Sequence, residues 1–318
     1  MAGLDDALEA FHLSMVCFGG RLPSFFSSSW SARAPISRPD RLDAFMDQTS
    51  EAEQTFFNSQ FMGKVTMMDK WFGRPLDKLD EMALWEDTMV IFATDHGHDM
   101  GERRAFGKQH PHFDSHANVP LMIWNPASPA PRRVSGLTRT VDLFATIIEA
   151  AGAKLTTANR HSRSLLPMVT SGAPSPRDAV LYGIFGQGVC ATDGTWTILK
   201  SPEPDMPLYL CSTAICRPLI VDSPVDGRLS KPPNKPVDQG CFDPSVELPM
   251  WQIPITVDPR SDESFQFNRS EDPGQEENLW ESHPEQRVRM LVLVRALLDG
   301  EGCPPAQLAR LGLESLAA

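Results

Sequence analysis

The sequence predicts an α/β fold: a mostly parallel sheet flanked by helices, followed by a smaller α+β region. Three observations support this. A helical pattern starts near Glu51, a continuous apolar run of strand length follows at residues 89–94, and short strand-like runs separated by glycines begin past residue 175. We therefore expect three parts: an irregular segment at 1–50, part of an α/β domain at 51–175, and an α+β subdomain containing an antiparallel sheet at 176–318.

The long helix is predicted from apolar residues that recur at spacings of three and four positions, which places them on one face. They are Val65, Met68, Phe72, Leu76, Leu79 and Ala83. Pro75 lies inside this run. Because proline lacks a backbone N–H and its ring clashes with the preceding turn, we expect it to kink the helix or break it in two.

Residues 89–94, "MVIFAT", form a continuous apolar run, as expected for a strand buried on both faces of a parallel sheet. Residues 118–125, "NVPLMIWN", are the next predicted strand. Residues 139–153 then have the pattern of a short amphipathic helix, with Gly152 as its C-cap.

The last part of the chain has a different pattern. The runs "DAVLYGIF", "GVCATD" and "TWTILK" are separated by Gly and Asp-Gly, which predicts antiparallel hairpins. Residues 201–260 are rich in proline and irregular. A final helix is expected from about Pro284 to Leu298, ending at Gly300.

Composition narrows the choice of partners. The 318 residues carry a formal net charge of -12, which argues against nucleic acid or an anionic membrane as the main partner. No run approaches the roughly 20 apolar residues that a membrane span needs. Six cysteines are scattered without a CxxC pair, so we expect free thiols and a cytoplasmic location, with a Cys211–Cys216 bridge as the alternative.

Five of the eight histidines lie within residues 90–116, and the first of these belongs to Asp95-His96-Gly97, directly after the apolar run. That position is the carboxyl end of a predicted strand, where α/β sheets bind ligands. A carboxylate oxygen and an imidazole nitrogen there can reach one metal ion, and Lys108 can return to the same edge as a positive charge for an oxyanion. The alternative is that Asp95 caps a turn and the histidines lie on a solvated loop.

Residues 61–124, "FMGKVTMMDKWFGRPLDKLDEMALWEDTMVIFATDHGHDMGERRAFGKQHPHFDSHANVPLMIW", resemble the C-terminal half of the sulfatase catalytic domain, in the alkaline phosphatase superfamily. The resemblance extends from about residue 60 to 200 and again from 265 to 313. Further segments that carry it are "RTVDLFATIIEAAGA", "SLLPMV", "DPGQEENLW" and "PPAQLARLGL". The resemblance implies an alkaline phosphatase-like fold, incomplete in this chain.

The resemblance also implies roles at matching positions. Asp95 and His96 match the second pair of metal ligands, and Lys108 matches a lysine that binds the sulfate group. His110 is expected to contact substrate, with His112 and His116 nearby and His98 supporting a ligand; the alternative for these four is a polar loop around the pocket. The resemblance implies calcium as the metal, whereas a histidine ligand suits manganese or zinc better.

The family also implies a nucleophile in a C/S-x-P-x-R motif and an early Asp-Asp pair that completes the metal site. We predict that this chain lacks both. The segment Cys17–Arg21 has the cysteine and the arginine without the proline, and Asp5-Asp6 follows no apolar strand. The chain is therefore predicted to carry one half of a site.

Three explanations for the half-site stay open. The chain is a fragment whose N-terminal half belongs to the full-length protein, a non-catalytic relative that binds anions, or one of two polypeptides. The exposed apolar edge of a divided sheet favours the fragment. The predicted reaction is metal-dependent hydrolysis of a small-molecule or glycan sulfate ester, with hydrolysis of a phosphonate monoester or phosphodiester as the enzymatic alternative.

Overall fold

The computed structural model describes residues 49–102, 106–107, 112–128, 131–154, 161–184, 186–212, 251–255 and 263–316. The described residues form two compact units. One comprises the residues up to Ser135 together with Leu166–Pro174, and the other comprises Gly136–Leu165 and the residues from Ser175 onward. The predicted boundary near residue 175 stays a prediction.

The secondary structure is a mixture of helices and strands, as the sequence predicts. In chain order the elements are α1 (Glu51–Glu81), β1 (Val90–Ala93), β2 (Asp99–Met100), β3 (Phe106–Gly107), α2 (Asp114–Ala117), β4 (Leu121–Trp124), α3 (Asp142–Ala150), α4 (Leu166–Ser171), β5 (Val180–Gly183), β6 (Val189–Thr192), β7 (Trp196–Lys200), β8 (Leu208–Ser212), β9 (Trp251–Ile255), β10 (Phe265–Asn268), α5 (Pro284–Gly300) and α6 (Pro305–Arg310).

Helix α1 begins with a capping box. The Ser50 hydroxyl accepts a hydrogen bond from the Glu53 N–H, and the Glu53 carboxylate accepts one from the Ser50 N–H, so two otherwise unpaired donors are satisfied. The expectation that Pro75 breaks the helix in two is wrong, because α1 is continuous through Pro75. Pro75 lies near the helix C-terminus, where a single lost backbone bond leaves most of the long helix intact. Phe61 and Val65 are buried on the predicted apolar face.

Strand β1 forms where the apolar run predicts it, but its pairing differs from the expectation. It pairs with β4 in antiparallel register, from Val90 opposite Trp124 to Ala93 opposite Leu121. Both strands are half-buried, and Trp124 is exposed. The predicted parallel pairing, with both faces buried, is wrong for the described strands. An apolar run predicts that a strand is buried, but it does not determine the direction in which the strand pairs. Here the connection over residues 94–120 brings the chain back in the antiparallel direction.

The second unit contains a four-stranded antiparallel sheet in the order β10-β7-β6-β5, which confirms the predicted hairpins. Helices α5 and α6 contribute to its core. The core residues are Ala191, Ile198, Met290, Val294, Leu298, Leu308, Leu311 and Leu313. The final helix begins at Pro284 as expected and extends to Gly300. Residues of α5, α6 and the sheet thus share one apolar cluster.

The N-terminus of α3 is organised around a buried carboxylate, Asp142. Arg177 donates to both of its oxygens, at 2.8 and 2.5 Å, and the backbone N–H groups of Arg163 and Arg139 donate at 2.9 and 2.8 Å. Burial raises the pKa of Asp142, but these hydrogen bonds and the Arg177 charge outweigh it and hold the pKa below its ordinary value. At the other end of α3, Gly152 follows the C-cap Ala151 with a φ of 69°, close to the predicted role.

Two further expectations concern the membrane and the cysteines. Within the described ranges, no helix has both the length and the apolar character to cross a bilayer. Cys190 and Cys303 are free thiols, and burial raises the pKa of each. The predicted alternative of a Cys211–Cys216 bridge falls on side chains outside the described part of the chain.

Candidate metal-binding site

Asp95 and His96 follow directly after the carboxyl end of β1. The Asp95 side chain is 65% exposed and the His96 side chain 31% exposed. Among the described residues, Asp95 has local hydrogen-bond partners: its Oδ1 accepts hydrogen bonds from the His96 N–H at 2.9 Å and the Thr94 hydroxyl at 3.4 Å. Oδ2 faces the His96 ring, with 3.7 Å between Oδ2 and Nε2. The carboxylate therefore keeps acceptor capacity for a cation.

The His96 ring is oriented by a backbone carbonyl. Its Nδ1 lies 2.8 Å from the Gly97 carbonyl oxygen, which can only accept a hydrogen bond, so we assign the proton to Nδ1. Nε2 then carries the lone pair. Two ligand atoms on one divalent ion lie roughly 3–4 Å apart, given metal–ligand distances of about 2.0–2.5 Å. The pair Asp95 Oδ2 and His96 Nε2 fits that requirement.

The described residues supply two ligands and no more at this site. Within the ranges that the structure describes, no group of three or more His, Cys, Asp or Glu side chains is arranged to hold a metal ion. Lys108 and His110, predicted to bind the sulfate group and the substrate, lie outside the described residues. Their roles stay predictions.

Gly97 allows the close approach of two backbone segments. Its N–H donates to the His116 carbonyl at 2.9 Å, and the next N–H, of His98, donates to the Ser115 carbonyl at 3.2 Å. A Cβ at position 97 would lie 1.8 Å from the Ser115 carbonyl oxygen. The Asp95–Gly97 loop is therefore fixed against α2, and only glycine fits at its third position.

Three of the remaining histidines differ from the solvated loop considered as an alternative. His112 and His116 are buried. His98 packs between aromatic rings, with centroids 4.8 Å from Phe61 and 5.0 Å from Phe106. These three side chains belong to the packing beneath the loop.

The sequence analysis did not predict a buried Asp–His pair next to the Asp95–Gly97 loop. Asp99 is fully buried, its Oδ2 lies 3.0 Å from His116 Nε2, and its Oδ1 accepts from the Ser115 hydroxyl at 3.0 Å. The signal was an extra acidic residue three positions after His96. The partner of Asp99 was not predictable from local sequence, because His116 lies 17 positions further along the chain.

The prediction that the chain lacks the nucleophile motif is wrong, because the sequence contains a match to it. Residues Ser37–Arg41 read S-R-P-D-R, which fits C/S-x-P-x-R. These five residues lie outside the described ranges, and Ser37 is even closer to Asp95 along the chain than Cys17 is, so the pattern by itself assigns no role.

Comparison with known proteins supports the resemblance over part of the chain. The protein-family model described as Sulfatase matches residues 38–153, which include the segment from Asp95 to His116. Over these residues the chain is similar to sulfatases. It is 32% identical over 127 residues to the multifunctional alkaline phosphatase superfamily protein PehA of Trinickia caryophylli, covering 39% of this chain and 24% of that protein.

Two further matches agree with this similarity to sulfatases. Arylsulfatase K of Canis lupus familiaris is 27% identical over 146 residues, covering 44% of this chain and 26% of that protein. The solved structure of BT4656 in complex with D-glucosamine-2-N,6-O-disulfate has a TM-score of 0.53 at 15% identity, covering 75% of this chain and 39% of that one. The structural match confirms the alkaline phosphatase-like fold. The chain spans about a quarter of the length of these two curated relatives.

Proposed function

We propose that this sulfatase-like hydrolase takes part in the hydrolysis of a sulfate monoester at a single divalent metal ion, and that it supplies one pair of ligands, Asp95 and His96. Lys108 is proposed to bind the sulfuryl oxygens. The remaining ligands and the nucleophile are proposed to come from outside the described residues, either from Ser37–Arg41 or from an N-terminal half of the catalytic domain.

One observation carries the proposal. Asp95 Oδ2 and His96 Nε2 lie 3.7 Å apart just past the end of β1, inside the segment that matches the sulfatase family. Both atoms have lone pairs available, and the Gly97 carbonyl fixes the tautomer of the imidazole. The separation of these two atoms supports the proposal, because it is compatible with both of them binding one divalent ion.

The chemistry follows from the charges involved. A bound divalent ion would act as a Lewis acid on a sulfuryl oxygen and activate an oxygen nucleophile. The Asp95 carboxylate contributes negative charge that strengthens cation binding, and neutral His96 contributes a nitrogen donor. A lysine ammonium at position 108 would stabilise negative charge on the transferred group as a compact point charge.

Activity measurements test this function. The purified chain is assayed with p-nitrophenyl sulfate in calcium, manganese or zinc, alone and together with the N-terminal half of a sulfatase catalytic domain added as a separate polypeptide. Asp95→Ala and Lys108→Ala should each lower turnover by orders of magnitude, whereas the control Asp87→Ala, an exposed aspartate before β1, should not. Near-wild-type turnover in either of the first two variants would contradict the assigned role.

A second candidate reaction is hydrolysis of a phosphonate monoester or phosphodiester. A histidine rather than an all-oxygen ligand set favours manganese or zinc, and one of the relatives is a multifunctional member of the alkaline phosphatase superfamily. The ratio of turnover on p-nitrophenyl sulfate to turnover on p-nitrophenyl phenylphosphonate separates the two reactions.

A non-catalytic binding role is the rival from another class. It predicts retained sulfate binding and no turnover on either ester, even when the N-terminal half of a sulfatase catalytic domain is added. The proposed ligand is then the same small-molecule or glycan sulfate ester. Cytoplasmic location stays a proposal based on the scattered cysteines, and the lack of nucleic-acid and membrane partners stays a proposal based on net charge.

A further inference from the structure

The Asp99–His116 pair lies directly beneath the candidate metal-binding site. Both side chains are buried, and the His116 and His96 rings are stacked with centroids 6.3 Å apart and planes inclined by 23°. An ionised carboxylate only accepts hydrogen bonds, so we assign His116 Nε2 as the donor to Asp99 Oδ2. Buried polar groups of this kind are retained only where their hydrogen bonds are made.

The pair is connected to the loop by the backbone. The carbonyl of His116 accepts from the Gly97 N–H, and the carbonyl of Ser115 accepts from the His98 N–H. The Ser115 hydroxyl donates to the second oxygen of Asp99. Asp99 therefore fixes the two α2 residues whose carbonyls hold the loop immediately after His96.

We infer that the buried Asp99–His116 pair is the positioning element that holds Asp95 and His96 in their ligand arrangement. This inference rests on the proposed metal site. The pair supplies no ligand and contacts no substrate in this role. It fixes the position of the backbone at Gly97, whose carbonyl orients the His96 ring, and it places the His116 ring against that of His96.

The inference predicts which substitutions preserve function. Glutamine at position 116 places an amide N–H near the position of the imidazole Nε2–H, so His116→Gln should keep the bond to Asp99. His116→Ala removes this hydrogen bond. Asp99→Asn replaces the carboxylate acceptor with an amide, which removes the charge and can reverse the direction of the bond. Partners of metal ligands typically change metal affinity about 10–100-fold when they are lost, so a loss of at least tenfold is expected.

The experiment uses the full chain, labelled with ¹⁵N, and titrates it with Mn²⁺. Paramagnetic broadening of the Asp95 and His96 amide signals reports occupancy without any need for turnover. Half-saturation should shift at least tenfold upward in Asp99→Asn and His116→Ala, and stay near the wild-type value in His116→Gln. Val65→Ala is the control, because it removes a buried apolar side chain from α1 and leaves the hydrogen bonds of Gly97 and His98 with their partners unaltered in sequence.

Amide hydrogen exchange without metal gives the second measurement. Exchange at Gly97 and His98 should accelerate in Asp99→Asn and His116→Ala and not in Val65→Ala or His116→Gln. Unchanged Mn²⁺ half-saturation in both disruptive variants, with binding abolished by Asp95→Ala, would overturn the positioning role and leave the proposed metal site intact. Equal weakening in Val65→Ala would overturn it too, since loss of stability would then explain the effect.

Failure of the metal site itself has a different signature. If wild-type protein shows no selective broadening, or if Asp95→Ala leaves it unchanged, the proposed ligand pair is wrong and the positioning role towards a metal falls with it. In that case, accelerated exchange at Gly97 and His98 in the disruptive variants would show only that the Asp99–His116 pair stabilises the backbone of this loop.

Discussion

Asp142 and Asp95 are two aspartates with opposite surroundings. Asp142, in the second unit, is fully buried and receives hydrogen bonds from one guanidinium and two backbone N–H groups. Asp95, in the first unit, is largely exposed, and within the described part of the chain its hydrogen bonds come from its immediate neighbours. A carboxylate saturated with donors stabilises a fold, whereas one with remaining acceptor capacity at a strand end is suited to binding a cation.

The same contrast separates the apolar parts of the two units. The sheet of β5, β6, β7 and β10 shares a buried cluster with α5 and α6. In the first unit, β1 and β4 are only half-buried, and α1 exposes several large apolar side chains. These are Phe56, Met62, Met67 and Trp71. Among the described residues, the sheet of the second unit therefore gains more from apolar burial than β1 and α1 do.

The largest expected loss of stability comes from removing the charge of Asp142, the buried carboxylate that accepts four hydrogen bonds. Asp142→Asn leaves the buried Arg177 guanidinium without its counter-charge and should lower the free energy of unfolding by about 3–5 kcal/mol. Urea denaturation followed by circular dichroism measures it, with the exposed Asp178→Asn as control. A loss no greater than that of the control would show that Asp142 is not a stabilising centre.

The same pair gives the protein a predictable response to acid. The folded-state pKa of Asp142 is depressed below its ordinary value of 3.8, so its contribution is present above that value and is lost as pH falls through the lower, folded-state pKa. The stability difference between wild type and Asp142→Asn should therefore be largest near neutral pH and shrink on acidification below 3.8. A difference that stays constant with pH would contradict this linkage.

The second comparison makes the same substitution, isoleucine to alanine, once in each unit. Ile198→Ala in β7 removes a fully buried side chain and should cost about 2–5 kcal/mol. Ile91→Ala in β1 should cost only about 1 kcal/mol, because the native side chain already keeps part of its surface in water. Unfolding by urea gives both values. Equal losses would show that β1 is better covered than the described residues indicate.

A smaller effect is expected at the loop. Gly97→Ala places a Cβ against the Ser115 carbonyl and should destabilise the protein by about 1–3 kcal/mol, because backbone must move to relieve the contact. Gly63→Ala, in open space on α1, is the matched control and should be neutral or stabilising. Amide exchange at His98 should accelerate only in the first variant; the same rate in both would contradict the contact.

The smallest effect is expected at Glu301, which pairs with Arg139 and His161 while remaining a quarter exposed. Burial raises the pKa of Glu301, but its bonds to His161 and Arg139 outweigh this and lower it overall. Glu301→Gln should cost about 1 kcal/mol at neutral pH, since the pair is partly screened by water. Thermal unfolding against the exposed Glu314→Gln measures it, and a cost above that of Asp142→Asn would reverse the ranking.

The sequence predicted the elements better than their pairing. The periodicity from Val65 to Leu79 located α1, and the run at 89–94 located β1, because both patterns reflect burial. The parallel pairing of β1 was wrong, because direction depends on contacts distant in sequence. Among the site residues, Asp95 and His96 are brought together because they are adjacent, whereas the Asp99–His116 pair forms only once the chain has returned through α2.

The core of the second unit has a consequence for synthesis of the protein. Leu308, Leu311 and Leu313 complete an apolar cluster whose other members include Ala191 and Ile198, more than a hundred positions earlier. Arg310 also donates to the carbonyl oxygens of Gly186 and Gln187. During translation, β5, β6 and β7 emerge from the ribosome well before these partners exist, so the sheet has an open apolar face until residues 308–313 follow. This unit is therefore expected to complete its folding only after the C-terminal residues have been synthesised. Until then, we expect chaperones to bind the exposed apolar face of the nascent chain.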